Sequence, residues 1–268
     1  MGERILVVGG GIAGLWTALA LARSGRELTV LERDPPPPET SADEAFENWE
    51  RKGVGHLRHS HAFLARLHVL IRDNYPDLME ELLAAGCREL KFADGLPVSL
   101  QDIYEPVPGD KDMTILTSRR TTLEYILRGY AARQEGIRFE TGAVVRDVLT
   151  DKDGNGVLRV TGLTVEQNGA TTDRTADIVV DAAGKNSQII DWLNKAGAGI
   201  AEETERAGSL SFTRHYRLHE PKNQPAQTTG PGAGDPGLIK YGLFPADNCS
   251  FSITLRLPAL QMERRRAT

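Results

Sequence analysis

Residues 5–32, ILVVGGGIAGLWTALALARSGRELTVLE, constrain the fold of this chain more than any other stretch. Residues 5–8 are a continuous apolar run, the composition a strand needs when both of its faces are buried. Gly9-x-Gly11-x-x-Gly14 follows at once and opens an apolar helix. In this spacing Gly9 permits the tight turn, Gly11 lets a pyrophosphate approach the backbone, and Gly14 lets the helix close on the sheet. The helix start, at Ile12 and Ala13, presents unpaired N–H groups and the positive end of the helix dipole to phosphate. Residues 28–31 read as a second strand, and Glu32 ends it 18 residues after Gly14. A carboxylate there can accept hydrogen bonds from an adenosine ribose. A solvated strand-end carboxylate is the plainer reading of Glu32, and the glycine loop at that distance weighs against it.

The same segment holds 18 uncharged residues, 5–22, which is the length of a membrane span or a signal peptide. Its four glycines, the lack of an A-x-A-like cleavage site and of basic residues beyond Arg4, and the strand and acid that follow argue for a nucleotide-binding βαβ unit. No other segment is apolar enough to cross a bilayer. With 268 residues the chain has material for one large or two smaller domains. A formal net charge of −5 provides no basic footprint for nucleic acid or an anionic membrane. Two isolated cysteines, Cys87 and Cys249, suggest neither a disulfide framework nor a zinc site and make a reducing cytoplasm the default compartment.

Beyond Glu32 a run of four prolines, 35–38, opens a long loop that continues to the histidine-bearing segment 53–61. Helical spacing marks residues 62–75, Pro76 starts a second helix ending at Gly86, and 119–134 reads as a third, after a short strand at 114–117. From Ile137 the period changes to two, with strands at 137–140, 143–149, 157–166 and 171–180 and turns at 153–156 and 168–169. The last of these runs into a second strand-to-helix junction, Asp181-Ala182-Ala183-Gly184-Lys185-Asn186-Ser187. Further strands are expected at 209–218, 238–244 and 250–257, and 261–268 as a solvated tail. Histidines 56, 59 and 61 invite a metal reading, but no carboxylate or cysteine completes a ligand spacing. Trp49 and Trp192 read as packing residues, and Asp181 and Ser187 equally as turn and N-cap residues.

These residues resemble the FAD-dependent monooxygenases and hydroxylases of the p-hydroxybenzoate hydroxylase fold, over nearly the whole chain. VVGGGIAGL followed by VLER has the form of that family's Rossmann motif, in which the glycine loop, Glu32 and Arg33 lie at the ADP half of FAD. Arg120-Thr121-Thr122-Leu123 matches the R-x-x-L at a helix start, where the arginine lies near the flavin nucleotide. Val145 falls in the strand whose backbone contacts adenine. Arg58-His59-Ser60-His61 is similar to the R-H-x-H segment of one bacterial subgroup and implies Arg58 near the flavin. ADIVVDAAGKNS is similar to the family's second motif, with Asp181 and Gly184 at cofactor positions. Ala183 and Gln188 depart from common forms of that motif, which puts pyridine-nucleotide specificity in doubt.

The resemblance implies an α/β fold with a Rossmann-like FAD-binding layer at 1–200, interrupted by an inserted loop and helices at 33–113. A β-rich substrate layer would occupy 201–268, incomplete because the family's later G-D motif lies beyond this sequence, so that a truncated member is expected. It implies FAD as cofactor, NAD(P)H as reductant, dioxygen as co-substrate, and oxygen transfer to a small hydrophobic or aromatic substrate. No catalytic side chain, no metal ligand, no nucleic-acid or membrane partner and no oligomeric state is indicated. A reductase or halogenase on the same fold is the nearest alternative, although the W-x-W-x-I-P segment of halogenases is not present. An inactive fragment that binds nucleotide weakly is the alternative from another class. A simple NAD-dependent dehydrogenase fits less well, because the second strand layer and the R-x-x-L helix match the flavin family.

Overall fold

A computed structural model describes residues 2–96, 98–205, 207–220 and 232–259, so the expected tail at 261–268 and much of the Pro- and Gly-rich connection before Gly237 lie outside the described residues. In chain order the first elements are β1 (Arg4–Val8), α1 (Ile12–Ala22), β2 (Glu27–Glu32), α2 (Ala42–Asn48), α3 (Ala65–Asn74), α4 (Pro76–Ala84), β3 (Arg88–Leu90), α5 (Val98–Gln101) and β4 (Ile115–Thr117). They are followed by α6 (Arg120–Ala132), β5 (Ile137–Thr141), β6 (Val144–Lys152), β7 (Leu158–Gln167), β8 (Ala170–Thr175), β9 (Ile178–Asp181), α7 (Ile189–Lys195), β10 (Ser209–Arg217), β11 (Ala233–Gly234), β12 (Lys240–Pro245) and β13 (Ser250–Pro258). Two compact units result, residues 1–55 with 127–204, and residues 56–126 with 205–268.

The first unit contains a parallel sheet of order β5-β2-β1-β9 and an antiparallel sheet of order β6-β7-β8. The apolar run in β1 is explained by burial on both faces. Ile5 and Val7 pack with Ala18 of α1, Leu28 and Val30, while Leu6 and Val8 pack with Val148, Leu163 and Val165 of the antiparallel sheet. Each such fully buried aliphatic side chain contributes about 1.5–3 kcal/mol relative to exposure. Residues 171–180, expected as one strand, are two strands in different sheets. The chain breaks after Thr175, where Ala176 N–H donates to Thr161 O, and Asp177 both donates to Arg4 O and accepts from Arg4 N–H. That bracket hands β9 to the parallel sheet. The hairpin turn at Asn168-Gly169 has φ of 53° and 78°, the left-handed pair such a two-residue turn demands.

The second unit carries α3, α4, the antiparallel pair β3-β4 and a sheet of order β10-β13-β12-β11. Of the insertion expected at 33–113, the part from His56 onward groups with the C-terminal strands in this unit. Arg119 and Asp247 form a buried pair 2.6 Å apart, Ser60 Oγ lies 2.6 Å from Ser252 Oγ, and Asn248 N–H donates to Gly86 O. The large sheet is two-faced. Thr213, Thr254, Ser252 and His215 lie on one face, whereas Leu210, Phe212, Tyr216, Leu243 and Leu255 lie on the other and remain 39–49% exposed.

Candidate functional site

The glycine loop packs backbone against backbone. Gly9, at φ 100°, donates to Leu31 O, and a Cβ on it would lie 2.6 Å from Ala182 O. A Cβ on Gly14 would lie 1.8 Å from Gly9 O, so the entry of α1 could not approach the loop with any larger residue. Gly10 is less restricted, because its added Cβ would meet only side chains, Arg128 Nη1 at 2.7 Å first among them. Gly11 differs: nothing lies within 4 Å of its added Cβ. It is also the N-cap of α1, with no side-chain cap and no acidic residue in the first turn. Gly11, Ile12, Ala13 and Gly14 thus form an electropositive backbone end beside open space, the arrangement that takes phosphate.

Glu32 is only 4% exposed and is held in place by its neighbours. Its Oε2 accepts from Gly10 N–H and from Arg51 Nη2, both at 2.8 Å, and its Oε1 accepts from Asp34 N–H at 2.9 Å. Arg51 also reaches Asp34 at 3.4 Å and lies over the Trp49 ring, 4.8 Å from its centroid. A carboxylate offers about four acceptor sites, so with these three donors one remains, on Oε1, for a ribose hydroxyl. The donor set therefore fits the ADP end of a dinucleotide. Arg33 is half exposed, 3.9 Å from Asp34, with its guanidinium over Gly53. The sequence reading missed Arg51 and Arg128, since neither carries a motif and both reach the loop only through the fold.

At the second junction Asp181 serves a local turn. Its Oδ1 accepts from Ala183 N–H at 3.0 Å and its Oδ2 from the Ser187 hydroxyl at 2.6 Å. Gly184, at φ 75° with open space around its added Cβ, leaves its backbone approachable. Ser187 accepts from Ile189 N–H, while the N-cap position of α7 is Gln188. Val145 lies in β6, the edge strand of its sheet, pairs with Val165 of β7 and is partly buried against the core.

In the second unit the R-H-S-H segment and the start of α6 build a cluster of their own. Arg58 is exposed, and its carbonyl accepts from or faces His215 Nε2 at 3.1 Å. His59 Nδ1 lies 3.0 Å from Thr213 Oγ1, and Ser60 Oγ is within 2.7 Å of Thr254 Oγ1. Arg120 Nη1 lies 2.5 Å from His56 Nε2 and 3.3 Å from His61 Nε2, and its Nε is 3.4 Å from the fully buried Glu124. Burial lowers the basicity of His61, and the Arg120 charge lowers it further against the opposing bond to His59 O. Burial likewise pushes the Cys87 thiol up to about 12. Among the described residues no group of three or more His, Cys, Asp or Glu is placed to hold a metal ion, and no helix is long and apolar enough to cross a membrane.

Residues 4–92 match the family described as FAD dependent oxidoreductase. The chain is 29% identical over 233 residues to Protein Rv3254 of Mycobacterium tuberculosis, a match covering 81% of this chain and 45% of that protein. A shorter segment of 88 residues is 33% identical to the flavin-dependent halogenase otaD of Aspergillus niger, covering 33% of this chain and 18% of the halogenase. In fold the chain is similar to PqsL of Pseudomonas aeruginosa, a probable FAD-dependent monooxygenase, with a TM-score of 0.64 at 14% identity over 98% of this chain and 63% of PqsL. The chain thus spans less than half of its curated relative and under two thirds of the solved one. The α/β architecture with its Rossmann-like parallel sheet is thus shared with PqsL.

Proposed function

We propose that this chain is part of an FAD-dependent oxidoreductase, binds FAD through its first unit and works as part of an NAD(P)H-dependent flavin monooxygenase. The observation that carries this reading is the uncapped end of α1 beside the spare acceptor of buried Glu32. In this reading the N–H groups at Ile12, Ala13 and Gly14 face the pyrophosphate, Glu32 Oε1 accepts from the ribose, and the edge strand carrying Val145 lies along adenine. Arg33, Arg58, Arg120, Asp181 and Gly184 are further cofactor positions. Arg120 would meet a nucleotide phosphate with a planar fork of donors. Bound flavin supplies the redox chemistry, and the protein supplies binding, orientation and exclusion of water.

The substrate would be small and hydrophobic or aromatic, oxidised at the expense of dioxygen as a hydroxylation or epoxidation. The apolar face formed by Phe212, Leu243 and Leu255 supports that preference. A cytoplasmic location is part of the reading, and neither Cys87 nor Cys249 is in a disulfide. The purified protein should show flavin absorbance bands and release FAD into the supernatant on heating; a colourless protein that FAD does not restore would refute the cofactor assignment. Anaerobic addition of NADPH or NADH should then bleach the flavin, and no bleaching with either would defeat the monooxygenase reading. The similarity to otaD favours one second reading, a flavin-dependent halogenase. Halide-dependent appearance of a halogenated rather than an oxygenated product separates the two.

A further inference from the structure

A cleft of about 600 Å³ lies within the first unit, between one face of the parallel sheet and β8 of the antiparallel sheet. Strand register sets its floor. Arg4 stands beside Glu27 across β1 and β2, and Leu6, Thr29 and Arg138 form the next row, across β1, β2 and β5. Alternation along the strands puts both rows, and Leu31 beyond them, on the same face. Two straps join this face to β8. Arg4 Nη1 donates to Thr175 Oγ1 at 2.9 Å, and Arg174 Nη2 lies 3.4 Å from Glu140 Oε2. A cleft of this volume is of the size that holds small molecules.

The charges that line the cleft are matched except for two. Arg4 also faces Asp177 at 3.8 Å, Arg174 has Glu140, and Asp173 accepts from Thr164 Oγ1 at 2.8 Å. The side chains of Arg138 and Glu27 are left, both exposed and neither bonded to or paired with any described residue. They are diagonal neighbours on the sheet, one strand across and two residues along, so their Cα atoms are roughly 8 Å apart. We propose that this cleft binds a small zwitterion with an apolar body, its carboxylate on the Arg138 fork, its ammonium on Glu27 and its body toward Leu6 and Leu31. Guanidinium and carboxylate meet through two parallel N–H bonds, and an ammonium only donates, which suits the acceptor-only Glu27. A simple anion would satisfy Arg138 and face Glu27 as a like charge, and a simple cation would do the reverse. Free apolar α-amino acids and short apolar peptides share the required chemistry. The cleft uses none of the positions assigned to the nucleotide, so its occupancy is independent of FAD.

Titration of the full, isotope-labelled chain with L-leucine and, separately, with leucyl-leucine tests this, read by NMR at the amides of Thr29 and Arg138. At least one of the two should shift those amides saturably, and the tighter binder identifies the source as a free amino acid or a peptide. Isocaproate lacks the ammonium and isoamylamine lacks the carboxylate. Each should bind about threefold to fivefold more weakly than leucine, the reach of a solvent-exposed ion pair. Arg138→Gln and Glu27→Gln should each weaken the zwitterion by the same factor, and because both side chains are exposed and unpaired the remaining amide spectrum should stay as in wild type. Arg138→Gln should leave the affinity for the amine unchanged, a selectivity that a merely structural role would not produce. No saturable shift with either zwitterion overturns the proposal. So does equal binding of the singly charged analogues, or zwitterion affinity that neither substitution alters.

Discussion

The glycine loop of the first unit and the arginine-bearing start of α6 in the second both present donors, but by different means. In the loop the donors are backbone N–H groups, and Gly9 and Gly14 are required because backbone atoms already stand where a Cβ would go. In the second unit the contacts that build the cluster join side chains distant in sequence: Arg119 with Asp247, Arg120 with His56 and His61, Ser60 with Ser252. A backbone site is fixed by a few local residues and tolerates change almost nowhere. A side-chain site depends on long-range packing, and its members can be removed singly with separable effects.

The largest effect is expected in the side-chain region. Asp247 is fully buried and accepts from Arg119 N–H, the Arg119 guanidinium and the Thr122 hydroxyl. Asp247→Ala removes the carboxylate that faces the buried Arg119 guanidinium, which costs about 3–5 kcal/mol. Urea unfolding would show it as a lowered midpoint, and a loss below about 1 kcal/mol would mean that water already reaches the pair. Next come two glycines of one loop. Gly14→Ala places a methyl 1.8 Å from Gly9 O and should cost about 1–3 kcal/mol while also abolishing flavin retention. Gly11→Ala meets nothing within 4 Å, so stability should stay within about 0.5 kcal/mol of wild type. Its FAD affinity should nonetheless fall, because the methyl occupies the space a pyrophosphate needs. Equal losses of stability in the two variants would break the distinction between packing and ligand glycines.

How far the sequence could be read follows the same division. The βαβ unit, the hairpin at Asn168-Gly169 and the second junction are local patterns of glycine, period and acid, and the folded chain has them where they were expected. The arginines that complete the site were not readable. Arg51 meets Glu32 across 19 residues, and Arg119 meets Asp247 across 128, with no spacing rule to connect them. The single run 171–180 failed for a related reason. The run has no glycine or proline to mark a break, and the bracket between Asp177 and Arg4, formed in the folded sheet, divides it.

One missed element did carry a local signal, and it supplies the smallest test. Residues 33–61 were read as a loop, yet α2 begins at Ala42, capped by Ser41, whose hydroxyl accepts from Glu44 N–H at 3.1 Å. Ser41-Ala42-Asp43-Glu44 is a serine followed at the third position by glutamate, the spacing of a capping box, with both acids in the first turn where the helix dipole favours them. The preceding prolines masked it. Trp49 closes the other end, donating its ring N–H to Pro35 O, so α2 is tied back toward the residues that hold Glu32. Ser41→Ala should therefore cost about 1 kcal/mol or less, confined to α2, with faster amide exchange at Glu44 and Ala45. FAD affinity should not change, because Glu32 is held by Gly10, Asp34 and Arg51 rather than by the helix. A parallel loss of affinity would show that the backbone site too depends on packing at a distance.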